Sequence, residues 1–165
     1  MIPTPLRHAS PLALNIDPRV SVPGDFATSI PGLSLFRRDQ PAPPTVCMIE
    51  PSLILVGRGE KRLWVGGEGY RYDPSRFLVT SLDLPANSEV MLASPEQPCV
   101  GLVLKLDVGM LAEILSKGGL PAKRQPSMNA GAGIGNLSCA LEGALERLLA
   151  LLDEPEAIPV LAPLV

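Results

Sequence analysis

The sequence predicts a mainly β domain with helices appended at its C-terminal end. Between Cys47 and Leu106, short apolar runs alternate with turn residues at close spacing, the pattern of a sandwich or small barrel. After Asp107 the apolar positions recur at helical spacing instead. Aromatic residues make up only 4% of the 165 residues, so the core is aliphatic, and this length suffices for one domain with a real core.

Nine of the 19 prolines fall in the first 44 residues. Residues 1–27 therefore read as a flexible N-terminal leader or arm, either disordered or folded over a pocket or partner. The barrel is expected over 28–106. Gly32–Arg38 reads as its first strand, with Leu33, Leu35 and Arg37 on one face and Ser34, Phe36 and Arg38 on the other. Gln40–Pro44 reads as a linker and Val46–Glu50 as a short strand. Ser52–Val56 and Arg62–Val65 flank Gly57–Lys61 as a hairpin, and Gly66-Gly67-Glu68-Gly69 gives the next reversal. Tyr70–Tyr72 is a short strand, and Asp73-Pro74-Ser75 is a turn in which Asp accepts from the backbone and Pro presets φ. Phe77–Leu82, Glu89–Ala93 and Cys99–Leu106 complete about eight strands.

Residues 107–165 are expected to be helical. Asp107 caps a helix to Lys117, with Glu113 and Lys117 as an i,i+4 pair and Gly118-Gly119 as the stop. Residues 118–135 read as a loop. Asn136 caps a second helix to about Glu154, whose Leu141, Leu145, Leu148 and Leu152 form one stripe. That stripe is the expected dimerisation surface of a homodimer, although the period alone does not choose between a second subunit and the chain's own barrel. The apolar ending Pro159–Val165 leads us to expect that the native chain continues beyond Val165.

The formal charge of −3 gives no basic footprint for nucleic acid. The only histidine, His8, lies outside the strand region, and the three cysteines form no Cys-x-x-Cys pair. A metal-dependent barrel enzyme thus lacks ligands, no cofactor is expected, and free thiols in the cytoplasm are the simplest reading. No window has the length of a membrane span. The paired glycines are not followed by a helix, so hairpin turns are preferred to a phosphate loop. Cys99 has no histidine partner nearby, and no catalytic constellation is visible.

Arg37, Arg38, Arg58, Lys61 and Arg62 are the only basic grouping. Solvated charge is the common case, but one or two can point inward toward a carboxylate ligand. Trp64, Tyr70 and Tyr72 either line a ligand mouth or form cross-strand packing pairs. Arg37, Trp64, Tyr70 and Tyr72 are therefore the candidate effector-binding residues.

Ile30-Pro-Gly-Leu-Ser-Leu-Phe-Arg37, Glu50-Pro-Ser-Leu, Gly57-x-Gly-x-Lys-Arg62, Tyr70-x-Tyr-Asp73 and Phe77-Leu-Val-Thr-Ser-Leu-Asp-Leu-Pro85 follow one another in order. Ala93-Ser94, Pro98, Leu102-Val-Leu-Lys-Leu-Asp107 and Leu145-x-Arg-Leu-Leu-x-Leu-Leu-Asp-Glu-Pro155 extend the series. Through these residues the chain resembles the N-terminal domain of AraC-type transcriptional regulators, from about Thr28 to the last residue. The resemblance implies a cupin-like β-barrel followed by two or three helices. It also implies a non-enzymatic regulatory domain that senses a small organic effector and dimerises, with DNA bound only by a C-terminal helix-turn-helix domain that this chain lacks. The rivals are a metal-free cupin-like enzyme and a dimerisation module without ligand.

Overall fold

A computed structural model of the chain describes residues 9–117 and 131–164. Among them are ten strands: β1 Gly24–Ala27, β2 Leu33–Arg38, β3 Ala42–Ile49, β4 Ser52–Arg58, β5 Glu60–Val65, β6 Glu68–Tyr72, β7 Arg76–Thr80, β8 Leu84–Leu92, β9 Cys99–Lys105 and β10 Ala132–Asn136. The α-helices are α1 Pro11–Ile16, α2 Val108–Ser116, α3 Cys139–Ala150 and α4 Ile158–Leu161. A six-stranded sheet in the order β1-β2-β9-β4-β7-β10 faces a four-stranded sheet in the order β3-β8-β5-β6. The predicted mainly β architecture with appended helices is present, as two facing sheets.

Alternation along each strand divides the core in two. Phe36, Ile54, Val56, Leu63, Tyr72 and Leu78 point between the sheets. Leu33, Leu35, Leu55, Val100 and Leu102 point out of the back of the six-stranded sheet, where α1 and α3 cover them. Each fully buried side chain of this size contributes about 1.5–3 kcal/mol through the area it removes from water. Among the buried polar residues, Thr80 has a satisfied hydroxyl. It donates to Glu50 O (2.9 Å) and accepts from Ser52 N (3.1 Å), pinning the start of β4 to the end of β7.

The expected hairpin around Gly57–Lys61 does not form. β4 and β5 are consecutive but belong to different sheets, and the chain crosses between them at Gly59. There φ is +91°, and a Cβ would stand 2.6 Å from both Leu92 O and the Cys99 Cβ, so only glycine fits. Gly66-Gly67, both at positive φ, do close a two-residue hairpin between β5 and β6.

Residues 9–27 depart from a flexible arm. Leu12, Ala13, Ile16 and Val20 are buried against the back of the six-stranded sheet, and β1 pairs with β2. Arg58 clamps this segment with two bonds to the Asp17 carboxylate (2.7 and 2.8 Å) and one to Pro98 O (2.9 Å). The Gln40–Pro44 linker is largely strand: β3 passes through Pro43 and Pro44 because it is an edge strand with a register shift there. Asn136 lies in β10, and the α3 N-cap is Ser138, whose hydroxyl accepts from Leu141 N at 3.1 Å. The Asp107 cap and the Glu113–Lys117 pair are present as expected, at 3.0 and 2.7 Å. His8, Gly118, Gly119, the rest of the loop to residue 130 and Val165 lie outside the described residues.

Candidate functional site: a cavity between the two sheets

A cavity of about 490 Å³ lies between the sheets, within the size range of small-molecule sites. Ile49, Ile54, Leu63 and Val103 give it apolar walls, and Arg38, Cys47, Lys61, Tyr72 and Ser88 supply polar groups. At the rim, Lys105 pairs with Glu50 and Arg38 pairs with Asp25 at 2.8 Å.

Lys61 is the unusual member. Alternation along β5 puts it on the same face as Leu63 and Val65, and only 8% of it is exposed. Its cross-strand neighbours are Tyr72 on β6 and Val90 on β8. Its ammonium sits 4.5 Å from the centroid of the Phe36 ring, which reaches in from the opposite sheet. Among the described residues, no carboxylate lies within ion-pairing distance of it. Glu60 instead pairs with Arg71 on the outer face, and Asp25 with Arg38. Burial pulls the Lys61 pKa below the ordinary amine range. Arg38 adds to that, against opposing pulls from Cys99, Asp25 and Cys47.

Burial also shifts the thiols and the phenol near Lys61. Burial pushes the Cys99 thiol up to about 11 and the Tyr72 phenol well above its usual range. Desolvation also raises Cys47, with Lys61 pulling the other way. The cavity thus presents the Cys47 thiol, the Tyr72 phenol, the Ser52 and Ser88 hydroxyls and the Lys61 amine, together with the paired Arg38–Asp25 and Lys105–Glu50. Among the described residues, no three His, Cys, Asp or Glu side chains are grouped as a metal site would need.

The four candidate effector residues do not all meet. Tyr72 forms part of the cavity wall. Tyr70 lies on the same face of β6, half-buried against the inner core, with its hydroxyl donating to Glu68 at 3.0 Å. Arg37 faces the opposite side of β2, bonded to Asp39 (2.7 Å) and to Val20 O (3.2 Å). Trp64 is on the outer face of the four-stranded sheet, where its indole N–H donates to Glu89 at 2.9 Å. It borders an open depression of about 640 Å³ with Pro44, Val46 and Asn87. That depression is larger than the inner cavity, but no buried charge faces it. Of the leucine stripe, Leu145 and Leu148 are buried in the chain's own core, whereas Leu141 and Leu152 are half-buried at its margin.

The residues that sequence reasoning passed over are Lys61 and Arg38. Both belong to the basic grouping whose preferred reading was solvated charge. The available signal was alternation: Lys61-x-Leu63-x-Val65 places an ammonium in register with two core side chains.

A family model described as the AraC-type transcriptional regulator N-terminus matches residues 29–165. The chain belongs to this family. Nothing among curated proteins matches it. Among solved structures it is similar to ToxT of Vibrio cholerae. The O395 protein bound to (E)-4-(8-methylnaphthalen-1-yl)but-3-enoic acid aligns with a TM-score of 0.50 at 12% identity, over 72% of this chain and 46% of ToxT. The unsaturated-fatty-acid-bound protein of strain SCE256 aligns with a TM-score of 0.50 at 6% identity, over 75% of this chain and 47% of ToxT. At such identities the likeness shows the fold. This AraC-type domain spans about half the length of those neighbours.

Proposed function

We propose that this domain senses a small amphipathic organic acid, bound between the two sheets with its acid head at Lys61 and its apolar body along Ile49, Ile54, Leu63 and Val103. The observation that carries this reading is a buried ammonium without a carboxylate partner in an apolar-walled cavity. An uncompensated buried charge is unfavourable, and a ligand that brings the opposite charge recovers much of that cost. Both compounds held by the ToxT neighbours are carboxylic acids, which supports the same class here. The bound acid regulates a C-terminal helix-turn-helix domain that binds DNA in the cytoplasm, through differential affinity for two arrangements of the regulator.

A thermal-shift series of medium-chain acids tests the reading. An acid at a hundred times its Kd adds about 2.7 kcal/mol, or roughly 5–10 °C in Tm for a domain of this size. Lys61→Met removes the response while the protein stays folded. A series that moves Tm in neither protein, or in both equally, refutes it.

The proposal includes a homodimer formed through the helical tail. Leu141 and Leu152 are the stripe members left at the margin, and Val108, Met110 and Leu111 of α2 are exposed. Leu141→Glu combined with Leu152→Glu gives a folded monomer by sedimentation; a persistent dimer places the interface elsewhere.

A further inference from the structure

We infer that Lys61 is a nucleophilic amine that captures carbonyl compounds, aldehydes foremost, as a reversible imine inside the cavity. The inference rests on the effector-cavity reading above and adds a second ligand class, bound covalently, at the same site.

The argument starts from what an amine needs in order to attack a carbonyl. It must be unprotonated, unobstructed and beside a space that holds the carbonyl carbon. Desolvation in an apolar pocket and a neighbouring cation are the two ways a protein frees a lysine of its proton. Lys61 has both. It is almost wholly buried, and the Phe36 ring that it covers at 4.5 Å is flanked at 5.8 Å by the Arg38 guanidinium. The two cations are not equivalent. Arg38 donates to Gly24 O, to Arg37 O and to the Asp25 carboxylate, all at 2.8–2.9 Å. Among the described residues no carboxylate is ion-paired with Lys61; Asp25 and Glu50 at the rim pair with Arg38 and Lys105 instead. Burial is the largest influence on Lys61 and favours the neutral amine; Arg38 acts the same way, and Cys99, Asp25 and Cys47 pull in the opposite direction.

The step balances without any other reagent. The Lys61 Nζ lone pair adds to the carbonyl carbon, and the carbonyl oxygen becomes the hydroxyl of a carbinolamine. That oxygen then leaves as water with the two amine hydrogens as the C=N bond forms. Tyr72, directly opposite Lys61 in the β5–β6 register, keeps its phenol O–H and can donate a hydrogen bond on that side of the cavity. An acid in the same cavity has the opposite effect: its carboxylate holds the ammonium form and blocks the addition. The amine thus separates two ligand classes by its own charge state.

The test is reductive trapping on the intact chain. The protein is incubated with limiting hexanal and sodium cyanoborohydride near neutral pH, then mapped by peptide mass spectrometry. Each unit by which an amine's pKa falls gives about tenfold more free amine at fixed pH. One hexyl group is therefore expected on Lys61, ahead of Lys105, Lys117 and Lys123. Hexanoic acid is expected to suppress that label alone. Lys61→Met and Lys61→Arg, each checked for folding by circular dichroism, lose it. Comparison among lysines of one molecule keeps the test valid if either variant fails to fold. Equal or slower labelling of Lys61 overturns the inference. If acids still raise Tm in that case, the effector-cavity reading stands without it. If neither acid nor aldehyde registers, both fall.

Discussion

Replacing Gly57 by alanine tests the packing of the N-terminal segment without touching the cavity. Gly57 lies in β4, and Ser10 N donates to its carbonyl at 2.9 Å. A Cβ there would stand 2.6 Å from Ala13 N, 2.9 Å from its Cα and 3.1 Å from its Cβ. Two of these are backbone atoms of α1, so no rotamer change relieves the contact and the helix itself must shift. Overpacking of this kind costs about 1–3 kcal/mol. Against it, the restricted unfolded chain of a Gly→Ala variant returns about 0.4–1 kcal/mol. A net loss of about 1–2 kcal/mol follows, or roughly 2–8 °C in Tm. Urea denaturation measures the loss, and limited trypsin digestion locates it. Arg19 is held to Asp153 by two 2.8 Å bonds, and cleavage after it accelerates only if the segment lifts. Trp64, on the far face of the other sheet, keeps its native fluorescence. A Gly57→Ala protein that is as stable as the parent and no more readily cut after Arg19 would refute the placement of α1 over β4.

Leu149→Ala empties a fully buried site between α3 and the six-stranded sheet and is expected to cost about 2–5 kcal/mol in urea unfolding; a loss below about 1 kcal/mol would mean that α3 is not docked there. Among the thiols, Cys139 is exposed and reacts first with a disulfide reagent, whereas Cys99, buried and pushed up to about 11, reacts only on unfolding. Rapid modification of Cys99 in the native protein would contradict that burial. The Arg19 guanidinium holds the Asp153 carboxyl below the usual carboxylate range. Its contribution is therefore complete above the ordinary carboxylate pKa and lost as pH falls through the depressed value. Asp153→Asn should flatten that part of the acid unfolding curve, and an unchanged curve would show the pair to be inconsequential.

Most of the strands were legible because each has its own local cause. Leu33-x-Leu35 and Leu63-x-Val65 alternate, Asp73-Pro74 turns through its own side chain, and Gly66-Gly67 closes a hairpin. The two strands that went unread, β1 and β10, lack such a cause. β10 is Ala-Gly-Ile-Gly-Asn, with little β-preference, and it owes its conformation to register with β7, where the Phe77 ring lies over Gly135. The false hairpin at Gly57–Lys61 has the same root. Nothing local tells a turn within a sheet from a crossing between sheets; that depends on β9 and β7 taking both edges of β4. Likewise α1 has a single Pro-started turn and a half of apolar residues, too short to be stable alone, so only the sheet beneath it makes it a helix. The leucine stripe was visible, but a period identifies an apolar face and not its partner.

Lys61 offers the sharpest separation of fold from function. Nothing in the packing calls for a charge at this position: the side chain sits on a core face, its stem lies among apolar neighbours, and its ammonium rests on a phenyl ring. Methionine has a similar length, no charge and a favourable contact with aromatic rings. Replacing even a buried ion pair by apolar residues of similar volume is often neutral or stabilising by about 1–4 kcal/mol, and Lys61 has no ion-pair partner among the described residues to offset its desolvation. Lys61→Met is therefore expected to raise the urea midpoint with an unchanged denaturant slope, while abolishing the response to acids and the aldehyde label. A Lys61→Met protein that gains stability and loses both responses would mark a residue placed by function. Were Lys61→Met instead destabilised, the ammonium would be holding the two sheets together through Phe36, and the case for it as the ligand's anchor would lose its main support.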